Sequence, residues 1–140
     1  MEAKFNFNSQ VCTSKEQSER LLALGLKKET ADMVLCEPFD YEKRKYSEGY
    51  VKIVLEEGEG FCKDDIPAWS LHRLIEMMPD LIKDNIEGML YHLSIDGNSV
   101  FYETRNNDLC QFFGDSLYNC IIDCIEWLIK EGYFNKEYLV

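Results

Sequence analysis

Residues 115–131, DSLYNCIIDCIEWLIKE, constrain the fold more than any other stretch of this chain. At ~100° per residue on a helical wheel, Asn119, Asp123, Glu126 and Lys130 share one narrow polar stripe. Everything else from Leu117 to Ile129 is apolar and covers an arc of roughly 220°. A helix at a protein surface shows a narrower apolar stripe, so this one is expected to be walled in on three sides as the spine of the domain. Ile121 and Ile125 face away from the polar stripe. Glu126 and Lys130 have the spacing of a helical ion pair, Asp115 is placed to cap the start, and Gly132 to end the helix.

One domain over residues 1–140 is the expectation, because a chain of this length can enclose one well-buried core. With 46% hydrophobic and 13% aromatic residues, wholesale disorder is disfavoured. The net charge of −11 is unevenly spread: residues 64–140 carry 14 acidic and 5 basic side chains, a net of −9, and residues 1–63 a net of −2. Such a surface repels phosphate backbones and anionic lipid, so neither direct nucleic-acid binding nor membrane binding is expected. There is no secretory signal pattern and no apolar run near 18 residues. The expected location is therefore the cytoplasm, with Cys12, Cys36, Cys62, Cys110, Cys120 and Cys124 kept reduced.

The local signals alternate between helix and strand. Thr13 and Glu16 have the spacing of a capping box, and the helix they open runs to Leu24. Gly25 is placed for a left-handed stop, with Leu21 and Leu26 at the positions of the accompanying apolar contact. From Lys27 to Cys36 the signal is mixed, with Thr30 suited to cap a short turn. Residues 37–49 read as a polar loop broken by Pro38, and Tyr50–Leu55 as a β-branched strand. Residues 56–65 read as an acidic, glycine-containing loop. Pro67 leads into a second helix with Ser70 as N-cap, Trp69 and Leu74 as a hydrophobic staple, and Pro79 beyond its end. In residues 89–105, Tyr91, Leu93 and Ile95 alternate on one strand, and Val100, Tyr102 and Thr104 on the next. A two-residue turn within Asp96-Gly97-Asn98 puts both sets on one face. Residues 106–114 read as an irregular bridge, and the segment after Gly132 as packing back or fraying.

No motif in the chain specifies a reaction. Cys120 and Cys124 are four apart on one helix side, as two metal ligands would be, but the chain has no C-x-x-C and no H-x₃₋₅-H to complete a zinc site. Inside the apolar arc they read as small hydrophobes. Nucleophilic cysteine chemistry requires a nearby base, and His72 and His92 are the histidines that could supply one. The glycines of residues 57–60 stand among carboxylates with no G-K-[ST] following, so no phosphate loop is expected. Glu56, Glu57, Glu59, Asp64 and Asp65 do not follow the spacing of a calcium-binding EF-hand loop. They are retained as a candidate acidic surface for a basic partner.

Three blocks, EQSERLLALGLKKETADMVL (16–35), IPAWSLHRLIEMMP (66–79) and IIDCIEWLIKEGYFNKEYL (121–139), resemble a group of uncharacterised small acidic proteins. These are carried by phages, prophages and conjugative elements of gut Bacteroidetes. The most recognisable part is Pro67, Trp69, Ser70, Arg73, Leu74, Ile75 and Glu76. The resemblance implies an accessory protein of a mobile element and carries over no catalytic or binding residue.

The fold expected is α+β: a small antiparallel sheet holding the 89–105 hairpin, with 50–55 as a further strand, packed against the C-terminal helix with two other helices. The function expected is a non-catalytic protein-interaction module without cofactor or metal. The alternative is a small cysteine- or carboxylate-dependent enzyme.

Overall fold

A computed structural model of the chain describes residues 9–37, 39–40, 42–46, 51–55, 61 and 64–140. The fold is α+β. The antiparallel sheet that packs on the C-terminal helix is a four-strand meander, β6 (Leu81–Lys83), β7 (Leu90–Asp96), β8 (Ser99–Thr104) and β9 (Asn107–Phe113), in that spatial order. Asp96 pairs with Ser99, so the turn is the two-residue Gly97-Asn98, with Gly97 at φ 57°. Leu93 then lies opposite Tyr102 and Ile95 opposite Val100, on one face as the alternation requires.

Strand β9 replaces the irregular bridge expected over 106–114. Cys110 pairs with Tyr102 but Asp108 with Glu103, so Leu109 is an extra residue, a bulge in the ladder. A bulge breaks period-2 alternation, which hides the strand from a reading by pattern.

Helix α3 (Leu117–Glu131) lies across the inner face of this sheet against β8 and β9, and also touches α1 (Lys15–Ala23) and α2 (Leu71–Met77). Ile121, Ile122, Cys124, Ile125 and Leu128 are fully buried. Its N-cap is Ser116, whose hydroxyl accepts from the Asn119 N–H, and not Asp115. Asp115 offers its carbonyl to Asn98 instead. Gly132 ends the helix at φ 80°, as expected. The polar stripe is bridged by α1: Arg20 bonds both Asp123 (2.7 Å) and Glu126 (2.9 Å), and Gln17 donates to Asn119. Glu126 therefore pairs across helices with Arg20 and not along its own helix with Lys130.

The α1 cap is shifted by one residue from the expected Thr13–Glu16 pair. Ser14 and Gln17 form the capping box. Thr13 is buried, where its hydroxyl accepts from the Trp69 N–H (3.0 Å) and meets Ser18 (2.7 Å). At the other end, Leu26 N–H donates to Leu21 O and Gly25 N–H to Leu22 O, the two bonds of a Schellman stop. Gly25 has φ 102°, and Leu21 and Leu26 are both in the core.

A second sheet has the order β4 (Val51–Val54), β1 (Met33–Cys36), β5 (Ile66–Ala68). The 51–54 strand thus pairs with β1 and not with the hairpin sheet. Pro67 is inside β5, an edge strand, where a residue lacking an N–H is tolerated. Residues 37–49, read as loop, contain a two-strand ladder, β2 (Phe39–Asp40) with β3 (Lys45–Tyr46). Pro38 lies outside the described residues. Ser70 caps α2, and Trp69 and Leu74 of the expected staple are both fully buried. The segment after Gly132 packs back: Lys27 N–H donates to Tyr138 O and Val140 N–H to Gly25 O.

The two sheets have separate apolar clusters. The large one joins α3, the meander, α2, Leu21, Leu26 and Trp69. The small one holds Cys12, Met33, Leu35 and Ala68. Between them runs a polar seam. Trp69 Nε1 donates to Thr30 Oγ1 (2.9 Å), Ser70 N–H to Asp32 (2.8 Å), and Arg73 Nε to the Thr30 carbonyl (2.8 Å).

Candidate functional site

The acidic segment is the first candidate. Asp64 is exposed in the turn before β5 and Asp65 is half-buried. Glu56, Glu57 and Glu59 lie outside the described residues.

The cysteines are sorted by the fold. Cys120 and Cys124 are buried, as the apolar arc requires. Cys120 donates its thiol to the Asn98 carbonyl at 3.1 Å, and burial raises its pKa. Cys124 is in the large apolar cluster, and Cys110 of β9 packs against that cluster. The hydrogen bond between them and burial both push Cys124 up. The same bond holds Cys110 below its ordinary value, against the effect of its own partial burial and with help from the Tyr102 backbone.

The inward placing of Cys110 was hidden in the sequence. With residues 106–114 taken as irregular, nothing indicated which way Cys110 faces. As a strand, Cys110 shares the inward face with Phe112.

The histidines are elsewhere. His92 is exposed on the outer face of the meander, 3.7 Å from Glu103, and His72 is exposed on α2. Neither bonds to a cysteine among the described residues. No group of three or more His, Cys, Asp or Glu among the described residues is arranged to hold a metal, and no described helix is long and apolar enough to cross a membrane.

Two surfaces remain. A cleft of about 550 Å³ lies between the starts of α1 and α3, lined by Ser14, Lys15, Gln17, Ser116 and Asn119 among others. Ser14 and Ser116 are engaged in capping there, and the lining also holds the Cys12 thiol and the Lys15 amine.

The other surface is the outer face of the meander. Among the described residues, the helix that packs on this sheet, α3, lies on its inner side, and the register places Lys83, His92, Asp96, Glu103, Gln111 and Phe113 outward. Phe113 is 75% exposed at the end of β9, and Leu81 and Leu90 are exposed at the far corner. β9 is an edge strand, with β8 on one side and no described strand on the other. Asp96 and Asp108 are exposed and make no ion pair among the described residues.

No protein-family model, no curated protein and no solved structure matches this chain.

Proposed function

We propose that this protein is a non-catalytic protein-interaction module that binds a basic polypeptide through the outer face and β9 edge of its meander. The observation that carries the reading is the one-sided coverage of that sheet among the described residues. An antiparallel edge offers unpaired backbone groups to an added strand, and this edge combines them with an exposed phenylalanine and unpaired carboxylates. The charge of −9 over residues 64–140 favours a cationic partner and speeds its encounter. The acidic residues Glu56, Glu57, Glu59, Asp64 and Asp65 are proposed to extend the attraction. A cytoplasmic accessory role in a mobile element is supported by the three resembling sequence blocks.

The test is affinity capture followed by kinetics with the captured partner. Joint substitution Phe113→Ser, Asp108→Asn and Asp96→Asn should abolish capture while the circular dichroism spectrum stays native. Association with the unaltered protein should slow as salt rises. A partner held equally by the variant, at a rate indifferent to salt, would overturn the reading.

A small cysteine- or carboxylate-dependent enzyme is the second reading, with Cys110, half-buried on an edge strand, as its candidate nucleophile. It predicts a turnover that Cys110→Ser abolishes.

A further inference from the structure

The end of α2 and the segment after Gly132 together enclose a cavity of about 350 Å³. It is lined by Tyr133 and Tyr138, by Met78 and Pro79, and by the acidic residues Glu76 and Asp80. Each part is fixed by contacts of its own. Tyr133 packs on Trp127 with ring centroids 5.7 Å apart, and its N–H donates to the Leu128 carbonyl (2.8 Å). Tyr138 packs on Phe134 at 5.9 Å, and its carbonyl accepts from the Lys27 N–H (2.8 Å). The Pro79 carbonyl accepts from the Tyr102 hydroxyl (2.7 Å), and the Asp80 carbonyl from the Leu93 N–H (3.0 Å). A cavity held in this way needs little further ordering when a ligand enters. The fold already shows what such residues attract. The Arg73 guanidinium carbon lies 5.9 Å from the centre of the Tyr138 ring, and its Nη1 bonds the Glu76 carboxylate at 3.2 Å. Glu76 is thereby balanced. Asp80 is exposed and makes no ion pair among the described residues, and the described lining includes no basic side chain. The cavity therefore keeps one uncompensated negative charge beside two aromatic rings.

We propose that this cavity binds a guanidinium group, with Asp80 as its carboxylate and the tyrosines as its aromatic wall. A guanidinium is planar and weakly hydrated, and its N–H donors lie in the plane of the charge. It can therefore lie against a tyrosine ring while its edge donates to a carboxylate. Arg73 makes this pair of contacts with Tyr138 and Glu76 from within the chain. Asp80 and Tyr133 offer the same pair to a group from outside. Met78 and Pro79 give apolar contact to the carbon chain that carries the group. One positive charge matches the one left unbalanced, whereas a neutral group of the same shape leaves Asp80 as it was. The guanidinium can belong to a free small molecule or to an arginine residue of a polypeptide, since the recognition chemistry is shared. Asp80 directly precedes β6, the opposite edge of the meander from β9. The site is thus separate from the proposed partner surface and stands without it.

The experiment titrates methylguanidinium into the intact protein at low salt and follows the ring protons of Tyr133 and Tyr138 by NMR. The expected result is a shift of both rings that saturates, while methylurea, the same shape without the charge, moves neither. Asp80→Asn changes an exposed side chain and should keep a native circular dichroism spectrum. It should weaken binding on the order of tenfold, the loss of a charge-assisted hydrogen bond. Phe113→Ser, at the other edge of the sheet, should leave binding unchanged, which separates this site from the partner surface. N-acetylarginine N-methylamide distinguishes the two sources. Binding at least as tight as that of methylguanidinium supports the site as a receptor for an arginine residue, and weaker binding supports it as a site for a free guanidine. Ring shifts that never saturate, an equal response to methylurea, or undiminished binding by Asp80→Asn would overturn the proposal.

Discussion

The meander half and the β4–β1–β5 half are built from the same kinds of residue but are held together differently. In the meander, each strand pairs with its neighbour in sequence, and a helix 15 residues long covers the inner face. Its cluster gathers eighteen buried side chains. In the other sheet, the central strand β1 reaches forward to β4 and further still to β5, and its cluster has four buried members among the described residues. That sheet is secured by the seam in which Thr13, Thr30 and Asp32 bond the backbone and side chains of Trp69 and Ser70. One half rests on apolar volume, the other on a few satisfied buried polar groups. The difference matters because the two fail differently: a lost methylene leaves a cavity, while a lost acceptor strands a buried donor.

The largest expected effect tests the apolar half. Ile125→Ala, in the middle of the large cluster, should cost about 2–5 kcal/mol in a denaturant titration, with Leu35→Ala in the small cluster at the low end, about 2 kcal/mol. Equal losses at the two sites would erase the distinction between the clusters.

The seam comes next. Thr13→Val keeps the shape of the side chain and removes the acceptor of the Trp69 N–H, at an expected cost of about 1–3 kcal/mol. A neutral result in the same titration would mean that the seam is incidental to how the second sheet is held.

Alkaline pH should act on the meander half. Burial raises the pKa of Cys120 and of Tyr102, so in the folded state both hold their protons above the pH at which the unfolded chain releases them. The unfolded state then binds fewer protons, and stability, complete below the unfolded values, falls as pH rises. The decline should begin above about pH 8.5 and steepen beyond about pH 10. Urea midpoints measured from pH 7 to 10.5 check the sign. Tyr102→Phe should flatten the upper part of the decline, and an unchanged slope would remove Tyr102 as its cause.

The smallest effect concerns the exposed bridge between helices. Glu126→Ala removes one of the two carboxylates on Arg20, both largely solvated, and should cost only about 0.2–1 kcal/mol. A double-mutant cycle with Arg20→Ala should show coupling, and one with Lys130→Ala should show none.

What could be read in advance follows the same division. The α3 wheel, the Gly25 and Gly132 stops, the Ser70 cap and the parity of the 89–105 hairpin each depend on residues within a few positions of one another, and each appears in the structure. The β9 bulge, the β2–β3 ladder and the pairing of residues 51–54 with β1 do not, because periodicity reports which face a residue takes but not which strand lies beside it. The caps at Ser14 and Ser116 were each misplaced by one residue for a related reason. Thr13 and Asp115 are equally good capping types locally, and only the demand of the Trp69 N–H for Thr13, and of Asn98 for the Asp115 carbonyl, shows where each is used.

The candidate site was less legible than the fold. The acidity was visible, since charge is a property of composition, but the face on which Asp96, Asp108 and Phe113 stand together required the meander register. By itself the sequence determined a helix apolar on three sides, a hairpin beside it and an acidic second half, because propensity, capping and charge act over short range. Tertiary structure alone decided which strands pair and where Arg20 bridges the polar stripe, because these contacts exist only once β9 and α1 have been brought onto α3.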